Sequence, residues 1–506
     1  MTMTTSTTPR SVPRQAPLAM DADTFKALGH ALVDQVAGLM EAVSAGPVTH
    51  DATPAAIREA LDLSSPLPED GTDPAALLTH TARQLFAHSL FNAHPRFFGY
   101  ITAGPAPIGI LGDFLASALN ANVGSWILAP AATEVEAQTV RWIGELITFP
   151  AGDGLLVTGG NAANIVCLIA ARAAAARWDI RAGGLAGGGR EMVVYASKET
   201  HTWIQKAADL CGLGTGAIRW IDTTADLQMD VEALRRAIEI DRTAGRLPFM
   251  VVGTAGSVST GVVDPLRDIA ALCREQHLWF HVDGAYGAFA AALPDASPDL
   301  RALSEADSVA VDPHKWLYAP LEAGCALVRD AEALRRAFAY HPSYYHFDEQ
   351  ALNYVEHGPQ NSRGFRALKV WLALRHVGAA GYRRMIGDDV ALSRAMAAAL
   401  SRRPDFEVVT QTLSITTFRY IPADLALTKD KPAVAAYLDA LNAAILDALQ
   451  HGGQVFVSNA VIHGRYSLRA CIVNFRTRLE DVEAVPAIVA AQGATLDAAM
   501  RVRTVS

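Results

Sequence analysis

Between Glu134 and Asp330 short apolar runs alternate with amphipathic stretches. The runs are Leu155–Thr158, Met192–Tyr195, Ala217–Ile221, Phe249–Gly253, Leu278–Val282, Ser308–Val311 and Cys325–Val328. Runs this short and this apolar read as strands buried on both faces. Helices fall between them, for example Val231–Arg242 and Asp264–Gln276, with Asp230 and Asp264 at N-cap positions and Pro265 as a first helical residue. Strands alternating with helices predict an α/β fold, a mostly parallel central sheet with helices on both faces. The pattern differs on either side. Asp21 to about Leu115 reads as helical with long loops, including the Pro/Asp-rich stretch Ser64–Pro74. Beyond Pro359 a helical region crossed by Gly378 and Gly381 runs to Leu400. The tail mixes strands (Glu407–Val409, Ile415–Arg419, Tyr466–Ala470) with helices (Pro432–Leu449, Asp481–Ala491). The expected division is a disordered leader over 1–20, an N-terminal helical segment over 21–115, a large α/β domain over 116–395 and a small α+β domain over 396–506.

Composition narrows the function classes. A chain of 506 residues with 51% hydrophobic content can bury a large core. Its most apolar stretches, Ala162–Ala176 and Ala391–Leu400, are broken by Arg or polar residues and fall short of the roughly 20 apolar residues of a membrane span. Residues 1–17 are rich in Thr, Ser and Pro and lack the apolar core of a secretory signal. With 43 basic and 52 acidic residues the net charge is −9, which argues against nucleic acid or an anionic membrane as the main partner. Five cysteines without CxxC spacing fit reduced core thiols in the cytoplasm better than disulfides or a zinc site.

Ligands of open α/β sheets bind at the carboxyl ends of the strands, so the residues after each run carry the chemistry. Thr158-Gly159-Gly160-Asn161 precedes a strong helix and suits a phosphate, though an ordinary strand–helix turn reads the same way. His281-Val282-Asp283-Gly284-Ala285-Tyr286 ends a buried run with a carboxylate, which needs a cation or a hydrogen bond to meet it. A protonated pyridine nitrogen is one such partner and the next turn's backbone is another. No further ligand at a recognisable spacing supports a metal there. In Asp312-Pro313-His314-Lys315-Trp316 the lysine sits between core-like runs, where desolvation makes an amine nucleophilic. A snorkelling surface lysine is the plain alternative. Thr200-His201-Thr202 offers a histidine that could stack on a flat ring or serve as a hydrogen-bonded core residue.

In this order and in this setting these motifs resemble the group II pyridoxal phosphate (PLP)-dependent decarboxylases, which include the aromatic-L-amino-acid, histidine, cysteine-sulfinate and some glutamate decarboxylases. The resemblance runs from about Ala87 to Arg478. It rests on HPRFFGY (94–100), the TGGNAAN turn, SKETHTWIQKAADLCGLG (197–214), HVDGAYG (281–287), VDPHKWLYAPLEAGCALVRD (311–330), SRGFRALKVW (362–371) and LRACIVNFRT (468–477). The 32-residue spacing from Asp283 to Lys315 also fits. Asn161 stands where the family usually has serine, and Asp312 where several members have asparagine. The glycine-rich stretch Gly183–Gly189 has no counterpart in it and reads as a flexible loop.

The resemblance implies the PLP-dependent transferase type I fold, with 21–115 serving dimerisation and 116–395 binding PLP. It implies a PLP Schiff base on Lys315, Asp283 pairing the pyridine nitrogen, His201 stacking on the ring and Ala285 on its other face. Gly159, Gly160 and Asn161 would hold phosphate, with Asp312 and His314 close by and Thr254 near the ring or the substrate carboxylate. Decarboxylation through a quinonoid would end with a proton from a loop tyrosine, a place that Tyr344 takes with Tyr345 beside it. Arg469 resembles an arginine that supports that loop.

Substrate contacts implied by the resemblance are Tyr100, Ile101 and Thr102, with Asn122, Gly124, Ser125 and Trp126 from a partner subunit, so a homodimer is expected. Gly124 replaces a bulky aromatic of the aromatic-specific relatives and would leave room, and Ser362 takes a place tied to phenolic or indolic choice. With no basic residue among these positions, an aromatic L-amino acid is expected, converted to its amine and carbon dioxide. An aliphatic substrate and oxidative decarboxylation to an aldehyde are the alternatives. A non-catalytic protein does not fit the presence of Lys315, Asp283 and His201.

Overall fold

A computed structural model describes residues 16–340 and 351–505. It divides into two compact units, one ending at Leu90 and the other running from Phe91 onward. The first contains the helices Ala22–Ala42, Pro54–Ala60 and Pro74–His88, each opened by a side-chain cap from Asp21, Thr53 or Asp73. The segment 91–115, expected with those helices, lies in the second unit. Its helix Pro107–Leu119 approaches the helix Ala367–Ser401 so closely that a Cβ on Gly112 would lie 2.9 Å from the Lys369 Cα.

The second unit is built on a seven-stranded sheet: β1 (Asp153–Val157), β2 (Met192–Ser197), β3 (Ile218–Ile221), β4 (Leu247–Thr254), β5 (Trp279–Asp283), β6 (Ser308–Val311) and β7 (Gly324–Val328). Every strand expected from the apolar runs forms, within three residues at either end. Spatial order is β1-β7-β6-β5-β4-β2-β3, parallel except for β7, which runs antiparallel to β1 and to β6. β2, β6 and β7 are buried along their whole length, as strands covered on both faces must be.

The two aspartates expected as caps behave differently. Asp230 accepts from the Ala233 N–H and opens the helix Val231–Thr243. Asp264 does not cap. Pro265 is non-helical (ψ 67°), the helix starts at Leu266, and the Asp264 carboxylate takes the N–H groups of Met229 and Thr254 at 2.8 Å each. Burial pushes that carboxyl up to about 6.

The C-terminal part is a four-stranded antiparallel sheet of β8 (Phe406–Thr412), β9 (Ile415–Tyr420), β10 (Ser458–Ile462) and β11 (Arg465–Cys471), in the order β10-β11-β9-β8. The helix Pro432–Gly452 is long and apolar enough to cross a membrane by length and composition. Here its Leu441, Ile445 and Leu449 pack in one core with Phe418 and Leu468 of the sheet. The long helix Ala367–Ser401 joins the two sheets and breaks its geometry at Gly378 (φ 70°).

Candidate active site

Because β1, β4, β5 and β6 are parallel and β7 runs the other way, the ends of the first four and the start of the last meet at one sheet edge. There they surround a cavity of about 360 Å³. Its lining includes Gly159, Gly160, Asn161, His201, Thr254, Asp283, Ala285, Asp312, His314 and Lys315, every residue that the sequence pointed to for the cofactor. Ile101 lines it as well.

β1 delivers the glycine turn. Gly159 has φ 138°, a backbone that a side chain rarely adopts, and a Cβ on Gly324 of β7 would overlap its backbone. A Cβ on Gly160 would lie 2.8 Å from Asp312 Oδ2 and 3.1 Å from the Ala285 Cβ. Gly160 starts the sixteen-residue helix Gly160–Ala175, whose first N–H groups lack intrahelical partners. The turn is thus a bare cradle at a positive helix end.

β5 delivers Asp283, 6% exposed. Its Oδ2 accepts the Trp203 indole N–H at 2.8 Å and its Oδ1 accepts the Ala285 N–H at 3.2 Å. Behind it His281 is fully buried, bonded to Ser308 Oγ (2.8 Å) and Asn164 Oδ1 (2.7 Å), and burial depresses it to about 4. It is therefore neutral.

After β6, Asp312 is 2% exposed, with its Oδ2 3.0 Å from Lys315 Nζ and 3.6 Å from His314 Nε2. An acid beside an anion cradle is electrostatically costly, and Lys315 Nζ is what meets it here. His314 turns its Nδ1 to the Ala323 carbonyl at 2.7 Å, and burial lowers its pKa. His201 accepts the Trp203 backbone N–H on Nδ1 at 3.2 Å. Desolvation lowers its pKa, partly opposed by Asp283 and reinforced by Lys315.

Two buried oxygens in this lining lack a hydrogen-bond partner among the described residues, Thr254 Oγ1 and Asp312 Oδ1. Orphaned buried polar atoms are uncommon in folded proteins, and a polar ligand is one way to satisfy them. With a glycine cradle, a facing carboxylate and a lysine, the donor set fits a phosphorylated, nitrogen-bearing ring.

Other expected contacts lie apart from the cavity within this chain. Tyr100 and Thr102 flank Ile101 but are not in the lining. Arg469 is buried, and it ties this segment down by donating to the carbonyls of Tyr100 (3.0 Å) and Ser259 (3.2 Å). Asn122, Gly124 and Trp126 form a second cluster, against the Asn361 and Arg363 backbone on either side of Ser362. Asn122 Oδ1 accepts from the N–H groups of Gly124 and Arg363, and the Trp126 N–H donates to Asn353. A Cβ on Gly124 would overlap the Asn361 carbonyl oxygen. Within this chain the glycine therefore answers to a close backbone approach. Tyr344 and Tyr345 fall outside the described residues.

Sequence reading passed over Asn164, Gly256, Val258 and Tyr286, all in the lining. Asn164 had a legible signal. It lies one helical turn after Gly160 and donates to the Gly160 carbonyl at 2.8 Å.

Such a pocket defines the class: an enzyme whose lysine and acid serve a phosphorylated ring cofactor. Residues 54–421 match the profile of the pyridoxal-dependent decarboxylase conserved domain. The aromatic-L-amino-acid decarboxylase of Bacillus atrophaeus is 34% identical over 471 residues, covering 92% of this chain and 94% of that protein. The phenylacetaldehyde synthase of Petunia hybrida is 30% identical over 471 residues, covering 90% and 91%. Among solved structures, Oryza sativa TDC with PLP and tryptamine superposes with a TM-score of 0.87 at 26% identity, covering 96% of this chain and all of that one. The chain belongs to the pyridoxal-dependent decarboxylase family. It is a PLP-dependent carboxy-lyase that acts on an amino acid.

Proposed function

We propose that the substrate is an aromatic L-amino acid, released as its amine and carbon dioxide. The observation that carries this is the lining away from the cradle, where Ile101, Gly256 and Val258 are apolar and arginine does not occur among the described residues. A side-chain carboxylate of a glutamate- or sulfinate-like substrate would find no matching cation there. Similarity to the Bacillus aromatic-L-amino-acid decarboxylase supports the same reading.

Bound PLP supplies an electron sink for the pair left when the Cα–carboxylate bond breaks. The chain's residues hold and orient. Gly159, Gly160 and Asn161, with His314, would take the phosphate, while Asp283 would meet the ring nitrogen and keep it protonated. His201 and Ala285 would bracket the ring, and Thr254 would face it or the substrate. Lys315 would bind the cofactor and yield it to the substrate amine. Tyr344 would return a proton to Cα.

The working form is proposed as a homodimer in the cytoplasm. Leu111, Phe114, Leu115 and Leu119 of the helix Pro107–Leu119 are each half-exposed or more, and Ile127 and Leu128 nearby are 75% and 63% exposed. An apolar face of this size needs a cover, and a second copy supplies one. Five free cysteines, four of them buried, suit a reducing compartment. Light scattering should give twice the chain mass, and Phe114→Asp should shift it towards one.

The test of substrate is incubation with PLP and a panel of L-amino acids, following carbon dioxide, amine, aldehyde and peroxide together. Amine from one aromatic substrate is the expected result. Turnover of only valine or leucine would move the substrate to the aliphatic class. The similarity to a phenylacetaldehyde synthase supports a second reading, in which aldehyde and peroxide would appear instead.

A further inference from the structure

Trp203 opens the helix Trp203–Leu210 and is fully buried beneath the cavity, with no part assigned to it above. It touches both residues that would face the cofactor ring. Its indole N–H donates to Asp283 Oδ2 at 2.8 Å, and its backbone N–H donates to His201 Nδ1 at 3.2 Å. The second bond leaves the His201 Nε2 to carry the proton of the neutral imidazole. The indole also stands edge-on to His281, with ring centroids 5.8 Å apart and planes at 82°. Because His281 is neutral, it gives Asp283 no compensating charge at that side. Among the described residues the donors to the carboxylate are the indole and the Ala285 N–H.

We propose that Trp203 is a positioning residue for the cofactor: it fixes the rotamer of Asp283, while its backbone sets the plane of His201. The reason is physical. A tryptophan N–H can only donate, so its bond pins the one carboxylate oxygen that it meets. The indole is fully buried, and a bond to a carboxylate acceptor is among the stronger ones. Asp283 is thereby held aimed for a protonated ring nitrogen. This rests on the assignment of Asp283 to that nitrogen.

The experiment is a thermodynamic cycle on cofactor affinity, measured by titrating the cofactor-free protein with PLP and reading the visible absorbance. Trp203→Phe keeps the buried ring, leaves the backbone bond to His201 intact and removes only the donor. Its PLP dissociation constant should rise on the order of ten- to a hundred-fold. In an Asp283→Asn background, where the acceptor is uncharged, the same substitution should cost clearly less. An unchanged dissociation constant for Trp203→Phe would overturn the proposal, as would an equal loss in both backgrounds, which is what packing alone predicts. Asp283→Asn alone separates the two ideas. If it leaves affinity and absorbance as they were, the Asp283 assignment fails, whereas a weakened Asp283→Asn with a normal Trp203→Phe sinks only the tryptophan's role. Should Trp203→Phe not fold, benzothienylalanine at position 203 swaps the N–H for sulfur at nearly constant shape, and the same comparison applies.

Discussion

Trp316, the residue after the cofactor lysine, hangs its indole N–H on Asp389 of the helix Ala367–Ser401 at 2.9 Å. The Tyr318 hydroxyl donates to the same oxygen at 2.7 Å, so the segment that follows the lysine is moored twice to one buried carboxyl. Burial pushes Asp389 up to about 7, against about 3.9 in an unfolded chain. The folded protein therefore holds this proton more tightly than the unfolded one. The stabilisation is fully present below about pH 4 and is lost as pH rises through about 7. Asp389→Asn cannot titrate. Urea midpoints of both proteins from pH 4 to pH 8 should show the wild type losing stability relative to the variant by a few kcal/mol, since each tenfold difference in proton affinity is worth about 1.36 kcal/mol. A difference that stays flat with pH would mean that Asp389 is ionised throughout.

Glu136 and Arg363 form an ion pair whose side chains are 0% and 1% exposed. The arginine also donates to the carbonyls of Val123 and Leu156, and the Leu156 N–H donates to Glu136. The pair thus clamps the Asn122–Trp126 loop and Ser362 to β1. Glu136→Gln leaves a buried guanidinium without its counter-charge and should cost ~3–5 kcal/mol. Adding Arg363→Met should restore part of that loss, because the uncompensated charge goes with it. Denaturant unfolding of the single and double variants measures this. A double variant that is no better than the single would show that the backbone bonds of Arg363 matter more than the ion pair.

Lys315 lies beside Asp312 in the cavity, where an amine can attack a bound carbonyl. Borohydride treatment of the PLP-loaded wild type should fix the cofactor on the peptide that contains Lys315. Lys315→Ala should release PLP on gel filtration, keep no visible absorbance and turn over at background rate. Labelling of another lysine would displace this assignment.

The large sheet was legible because parallel strands buried on both faces read as unbroken apolar runs, and their ends mark the ligand edge. The strand β10 escaped notice. It alternates buried and exposed residues at a sheet margin, with small polar residues at its start. The reversed direction of β7 left no trace in its own residues, since apolarity carries no polarity of direction. Asp264 before a proline imitates an N-cap, and only the fold shows that strand β4 and Met229 claim its oxygens first. Trp203 is silent for the same reason. A tryptophan at a helix start reads as core filling until the sheet sets Asp283 80 residues further along the chain against its N–H.

The identity of the Cα proton donor decides between amine and aldehyde, and Tyr344 is the residue for which the resemblance argues. Once carbon dioxide leaves, the electron-rich carbon needs a proton promptly, or dioxygen can take the electrons. In the second outcome amino acid, dioxygen and water yield aldehyde, carbon dioxide, ammonia and hydrogen peroxide in equal amounts. Tyr344→Phe removes the hydroxyl and leaves Lys315, Asp283 and the cradle untouched. It should therefore retain PLP with unchanged absorbance, release carbon dioxide, and shift the organic product from amine to aldehyde with matching peroxide. Chromatography of the product alongside a coupled peroxide assay reads the partition directly. If Tyr344→Phe still forms only amine and Tyr345→Phe forms aldehyde, the proton belongs to Tyr345. If neither single variant changes the product, the donor lies elsewhere. His201 is then the next group to test, since its Nδ1 is occupied by the Trp203 N–H and its Nε2 is the position left to carry a transferable proton.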